Sequence, residues 1–445
     1  MTDPDYELLI IGGGPAGSCA AAFARQHGLR TLVVEKSSFP RFHIGESLLP
    51  AGNHLLRETG VWPKIEAAGF MPKFGAEFHT ADGSVGKSVV FSNSLIPELD
   101  RTYQVERARF DALLLDHARE LGADVRMETT VRHLESFGAG GHRVTITDTG
   151  GTRTLTVPWV IDSTGRDASL MTEQKRSLEP SPFPKRLAIY SHLHGVARAA
   201  GKEAGNIIVV RLDGGWFWLI PLDPQRTSVG LVTTIEAFRG AGQTPERFFN
   251  DAIARSAKLR QLLAAATPVM PFQVTSDYTY FRRSLASDRL LLAGDAAGFF
   301  DPVFSSGVYM AMLSAKKAVQ LVARAHAERR SLSAREQRRY TRALKRHAGV
   351  FQKLIAAFYD DDAFEVFMCQ RIPWNMSGGL TSIVAGHAEL TWPLWWRFQL
   401  FMLICRLQRR WKLVKPEDLR PLESVDVCAE GETLDRQGST LQASQ

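Results

Sequence analysis

The segment Tyr6–Ser37, YELLIIGGGPAGSCAAAFARQHGLRTLVVEKS, constrains the fold more than any other part of the chain. Leu8 to Ile11 is an unbroken apolar run, the pattern of a parallel strand covered on both faces. Gly12-x-Gly14-x-x-Gly17 follows at once. In such a turn the first glycine makes the bend, the second lets the backbone approach a pyrophosphate, and the third lets the helix pack on the strand. An alanine-rich helix comes next, with Ala16 in its first turn, and a second apolar strand then ends at Glu35-Lys36. Two parallel strands joined by a helix demand a layered α/β fold. The helix start directs N–H groups and a partial positive charge at phosphate. Glu35, eighteen residues after Gly17, suits a ribose hydroxyl. Together these features predict a dinucleotide site.

The 445 residues are 44% hydrophobic, enough for two or three coupled subdomains. Cys19, Cys369, Cys405 and Cys428 have no paired spacing, which argues against a zinc site or a disulfide framework and points to a reducing cytoplasm. The opening residues carry no secretory pattern, and no apolar run is long enough for a membrane span. The nearest candidate, Trp392–Trp411, is interrupted by Arg397 and ends in arginines, so it reads as a buried or surface-lying helix. The net charge of +7 comes with no nucleic-acid motif and would help an acidic partner approach.

GGWFWLIPLD, Gly214–Asp223, reads as a strand that ends at Pro221. Alternation puts Trp216, Trp218 and Ile220 on one face and Phe217 and Leu219 on the other. The stripe is either ordinary core or the wall of a cavity, and a buried indole N–H needs a partner in both cases. Three other segments carry chemistry. Val105–Val125 reads as an amphipathic helix led by Arg107. Asp295 follows the apolar run Leu290–Ala293 and could bind a sugar hydroxyl or cap a helix. Lys73, between Pro72 and Phe74, either snorkels to the surface or is a buried amine with a lowered pKa.

The glycine turn, the Val105–Val125 helix, Trp159–Ser169 and the Asp295 segment together resemble the FAD-binding fold of the aromatic-hydroxylase (PHBH-like) flavoproteins, from Asp5 to about Val319. The resemblance implies FAD on Gly12–Gly17 and Glu35, with Arg107 at the cofactor and Asp295 at the ribityl chain. Four further motifs narrow it. Trp216-x-Trp218-x-Ile220-Pro221 is similar to the WxWxIP signature of flavin-dependent halogenases, and Lys73 in PKFGAEF to their active-site lysine. HIGESLLP, which holds Gly45, Glu46 and Ser47, is similar to their flavin strap. DPVFSSGV, Asp301–Val308, resembles their halide segment; it implies Ser306 and Gly307 at halide and Pro302, Gly307 and Val308 beside the flavin. The nearest resemblance is to halogenases of pyrrole and phenol rings, including those that act on carrier-bound pyrrole. Tryptophan halogenases are longer and carry a glutamate where this chain has Phe304.

The family chemistry implied is FADH2- and O2-dependent chlorination or bromination of an electron-rich ring in secondary metabolism. Hypohalous acid travels along a tunnel to Lys73, which either forms a chloramine or hydrogen-bonds the acid. No second nucleotide fingerprint follows a strand, so either NAD(P)H binds transiently or the flavin arrives already reduced by a separate flavin reductase. The alternatives are an FAD-dependent aromatic monooxygenase or oxidase and a non-catalytic FAD protein that binds a carrier.

The expected architecture is α/β, with a PHBH-like FAD-binding core over residues 1–345. Its nucleotide-binding parts are about 1–80, 100–175 and 285–345, and a mixed or antiparallel-sheet substrate subdomain takes about 81–99 and 176–284. A helical cap over 346–421 and a polar, disordered tail over 422–445 complete it. Basic residues from Arg335 to Arg346 form a face that could meet an acidic carrier.

Overall fold

Leu8–Ile11 sits at the centre of a five-stranded parallel sheet. The order is Leu290–Leu292, Trp159–Asp162, Leu8–Ile11, Thr31–Val34, Asp124–Arg126. All four residues of each of the three central strands are buried, which is why they read as continuous apolar runs rather than alternating ones. Helix Pro15–Gln26 packs on helices Arg107–Glu120 and Gly307–Ala327. Its run of buried alanines allows the close approach. The structure, a computed structural model, describes residues 5–167, 178–180, 183–276, 280–299, 301–370 and 374–419. The tail expected to be disordered lies outside the described residues.

A second, eight-stranded sheet stands beside the first. Gly215–Pro221 lies inside it, between Ile207–Leu212 and Thr227–Thr234. Alternation along this strand divides the molecule. Trp216, Trp218 and Ile220 belong to the main core, and Phe217 and Leu219 to a separate core under the helices Pro245–Ala254 and Ala257–Leu262. Ile207–Leu212 pairs in parallel with Gly75–Thr80, which pairs in turn with Gly86–Val90. Gly75–Thr80 therefore belongs to this sheet and not to the nucleotide-binding part before residue 80. A six-residue strand can join either sheet on local pattern alone, and its pairing partner, more than a hundred residues away, decides.

The helix Ala334–Tyr359 runs unbroken through the expected boundary at residue 345. Ser333 and Glu336 form its capping box. Asp361–Met368, Met376–Val384 and Trp392–Trp411 follow. The last packs a stripe of Leu394, Phe398, Phe401 and Cys405 inward and leaves Trp392 72% exposed, so it lies on the surface with one face buried. Among the described residues no helix is long and apolar enough to cross a membrane.

Candidate active site

One cleft of about 380 Å³ runs from the glycine turn to the tryptophan stripe. At one end Gly12, with φ +101°, takes a conformation open to glycine, and a Cβ there would meet Ser163 O at 2.5 Å. A Cβ on Gly17 would lie 1.8 Å from Gly12 O, so Gly17 fits helix to strand and does not reach the cleft. Gly14 is different. A Cβ there would project into the cleft, with only Arg41 Nη2 near it at 3.5 Å. Glu35 is buried, and its carboxylate accepts from Gly13 N at 2.7 Å and Ser37 N at 2.9 Å. Ala16 and Lys36 line the cleft beside it.

The strap Gly45-Glu46-Ser47 lines the middle of the cleft. Arg107 holds it: Nη1 donates to Ile44 O at 2.9 Å, while Nε and Nη2 grip Asp111 at 2.7 and 2.9 Å. Glu46 is 1% exposed, with Oε1 2.8 Å from His192 Nε2 and Oε2 without a hydrogen-bond partner among the described residues. Asp295 also faces the cleft. Burial pushes its carboxyl up to about 6, against the pull of Arg166 and Arg107. The short turn Gly294–Ala296 takes no side-chain cap, so Asp295 is not a capping residue. Burial and Arg107 hold His43, at the same wall, down at about 4.

Trp216, Trp218 and Ile220 line the far end, and Pro221 ends their strand outside the cleft. Both indoles have partners: Trp216 Nε1 donates to Tyr359 Oη at 2.8 Å and Trp218 Nε1 to Ser228 Oγ at 3.1 Å. Gly230 lies opposite Trp218, and a Cβ there would come within 2.2 Å of the indole ring. The bulky indole fits the sheet because the cross-strand neighbour has no side chain. Pro302, Gly307 and Val308 line the cleft with Ser305, whereas Ser306 is buried away from it. A turn of the backbone at Ser305, φ 55°, presents that residue and Gly307 to the cleft and rotates Ser306 out. Gly307 opens the helix Gly307–Ala327, whose first-turn N–H groups have no intrahelical acceptor.

Lys73 is 1% exposed, which excludes snorkelling. Its strand Met71–Lys73 pairs with Thr102–Gln104. Nζ donates to Ser47 Oγ and Leu48 O, both at 2.9 Å, and lies 5.3 Å from the Phe91 ring centre. Burial without an acidic partner lowers its pKa to about 7. Lys73 does not line the cleft; it stands one hydrogen bond behind it, through Ser47. Phe304 is buried against the rings of Phe78, Phe358 and Phe367.

The cleft has what FAD needs from a protein: an open glycine cradle at a helix start, a buried carboxylate oxygen left unpaired, and cationic side chains. Arg41, His43, Arg166, His192, Ser305 and Tyr359 were missed from sequence. His43 opens the strap motif HIGESLLP and Arg41 adjoins it, so both were within reach of sequence reading; Tyr359, 143 residues from Trp216, carried no local signal. Cys19 and Cys405 are buried free thiols, Cys369 is buried, and the described residues hold no metal-binding cluster.

A βαβ cradle and a tryptophan-walled sheet opening onto one cleft define an FAD-binding oxidoreductase, and residues 5–347 match the family model described as FAD binding domain. The chain is 34% identical over 340 residues to the 1H-pyrrole-2-carbonyl-[peptidyl-carrier protein] chlorinase of Pseudomonas fluorescens, covering 71% of this chain and 75% of that one. It is 30% identical to the tryptophan 2-halogenase of Chondromyces crocatus, covering 80% and 68%. The solved myxobacterial chondrochloren halogenase CndH superposes with a TM-score of 0.75 at 29% identity, over 89% of this chain and 97% of that one. The chain belongs to the flavin-dependent halogenases. It is an FAD-dependent enzyme that halogenates aromatic rings.

Proposed function

We propose that the substrate is an electron-rich pyrrole or phenol ring borne on an acidic carrier protein, and that Lys73 delivers the halogen. The observation that carries the second part is the amine itself: fully buried, with a pKa near 7, and tied to the cleft through Ser47. The carrier is supported by the similarity to a pyrrole-carrier chlorinase. Phe304, packed among aromatic rings, speaks against free tryptophan despite the similarity to a tryptophan halogenase, since it offers no carboxylate.

Bound FAD, reduced by a separate flavin reductase, supplies with dioxygen the two-electron oxidation that turns halide into hypohalous acid. Halide is held by the free N–H groups at the start of Gly307–Ala327, with Ser305 and Gly307 at the cleft. Trp216, Trp218 and Ile220 wall off the cleft, keeping the ring from the cofactor and water from the oxidant. Near neutral pH a large share of Lys73 is the free amine. Both of its N–H bonds are then donated, to Ser47 Oγ and Leu48 O, which leaves the lone pair for the halogen. The pair attacks the halogen, hydroxide departs and takes the ammonium proton as water; the ring carbon then attacks the halogen, the N–halogen bond breaks with its pair left on Nζ, and a proton equivalent to the one the ring loses restores the amine. A protonated Lys73 would instead hydrogen-bond and orient the acid.

Localisation in a reducing cytoplasm, where NADH and a reductase are at hand, is supported by the buried free thiols of Cys19 and Cys405. The test supplies FAD, reductase, NADH, halide and oxygen with free and carrier-loaded aryl acids, and reads halogen isotope patterns by mass spectrometry. Halogenated product that vanishes in Lys73→Ala, with FAD binding retained, supports the reading. A hydroxylated product without halide dependence supports a monooxygenase, and flavin binding without turnover supports an idle carrier-binding protein.

A further inference from the structure

Tyr359 ends the helix Ala334–Tyr359 and stands between the tryptophan strand and the loop before Gly307. Its hydroxyl accepts from Trp216 Nε1 at 2.8 Å and donates to Asp301 Oδ2 at 2.6 Å. Asp301 Oδ1 accepts from Val303 N at 3.1 Å and so caps the turn Pro302–Phe304, which leads through Ser305 to Gly307. The Arg186 guanidinium covers the Tyr359 ring at 3.7 Å and lies 3.7 Å from Asp301 Oδ2. Asp301 and Trp216 are 1% and 2% exposed. A surface aspartate would cap such a turn with none of these partners. Burying a carboxylate under a guanidinium and a phenol is costly unless the geometry it holds matters.

We infer that Tyr359 is a positioning residue for the halogenation site: its one hydroxyl locks the cleft's tryptophan wall to the loop that presents the N–H groups of Gly307 and its neighbours to halide. This rests on the reading of that helix start as the halide site. The tie comes from the C-terminal helices, so they act on the site by holding its halide loop as well as by covering it. Without the hydroxyl, Asp301 loses its closest donor and keeps only Arg186 and the Trp216 indole, while the indole N–H loses its 2.8 Å acceptor and must turn to Asp301, so the turn and the wall are both free to shift. Tyr359, Asp301 and Arg186 do not themselves line the cleft, and the glycine cradle and the Arg107-held strap grip FAD elsewhere in it, so FAD affinity should change far less than halide affinity.

The test is Tyr359→Phe, which removes one oxygen and keeps the ring under Arg186. Holoenzyme carrying oxidised FAD is titrated with bromide and with chloride while flavin absorbance and fluorescence are followed, and FAD affinity is measured separately on the apoprotein. The expected result is a halide dissociation constant raised about tenfold, the effect of losing one charge-assisted hydrogen bond, with FAD affinity within about twofold of wild type. In turnover, halogenated product per flavin oxidised falls at low halide and recovers at high halide, a recovery that a general loss of structure would not give. Arg186→Lys keeps the charge beside Asp301 but loses the planar cover on Tyr359, and serves as the second variant, with a smaller shift in the same direction. Unchanged halide affinity in both variants, or a parallel loss of FAD affinity, overturns the inference. A wild-type holoenzyme that gives no halide-dependent signal overturns the halide-site reading instead.

Discussion

Replacing Lys73 by methionine tests whether the amine is held neutral by burial. The fold lowers its pKa from 10.5 to about 7. A drop of roughly 3.5 at about 1.36 kcal/mol per pKa unit is about 5 kcal/mol that the charged form would lose on folding. Between about pH 7 and 10.5 the unfolded chain binds a proton that the folded chain lacks, so raising the pH through that window stabilises the fold. From near pH 7 to near pH 9 the gain is about 2 kcal/mol, and it is complete above the unfolded pKa. Methionine fills similar volume and has no proton to exchange. It also strands Ser47 Oγ and Leu48 O, but that penalty does not depend on pH. The assay is equilibrium urea unfolding of wild type and Lys73→Met at both pH values and the same FAD saturation, where all other titrating groups are common to the two proteins. The stability of the variant relative to wild type should fall by about 2 kcal/mol on going to the higher pH. A gap that moves by less than roughly 0.5 kcal/mol would show the amine charged or hydrated in the folded protein, and the nucleophilic role argued from its lowered pKa would go with it.

Gly14→Val should fold normally and lose flavin, because its side chain enters the cleft, whereas Gly17→Ala should destabilise the fold itself by several kcal/mol against Gly12 O; flavin-to-protein ratio and melting temperature separate the two. Phe304→Glu buries a carboxylate among three aromatic rings and should cost about 3–5 kcal/mol in urea unfolding; a melt like that of wild type would contradict the ring cluster. Arg338 and Arg342 are exposed and in no ion pair among the described residues, so reversing both to glutamate should raise KM for a carrier-loaded acid about tenfold, flatten its salt dependence and leave a free acid unaffected.

The cofactor cradle was legible because its geometry is local. Gly12, Gly14, Gly17 and Glu35 lie within two strands and one turn, and the parallel pairing they imply is the pairing observed. Trp216, Trp218 and Ile220 could be placed on one face from alternation alone, which is a property of any strand. Their function as a wall could not, because that depends on what the opposite strand leaves open, and Gly230 is the residue that leaves it. Lys73 stood undecided between surface and interior, since its neighbours in sequence are apolar in both cases. The strap brought over by Arg107 and the bridge from Ser47 to Gln104 enclose it, and that enclosure sets its pKa. Ser305 rather than Ser306 lines the cleft, because one left-handed residue turns the loop by a step that residue types do not announce. Sequence therefore determined the cradle, the strand faces and the chemical groups on hand, all set by short-range geometry. Tertiary structure decided the boundary at Gly75–Thr80, the burial of Lys73 and the Tyr359 tie, because each depends on a partner distant in sequence that only packing brings near.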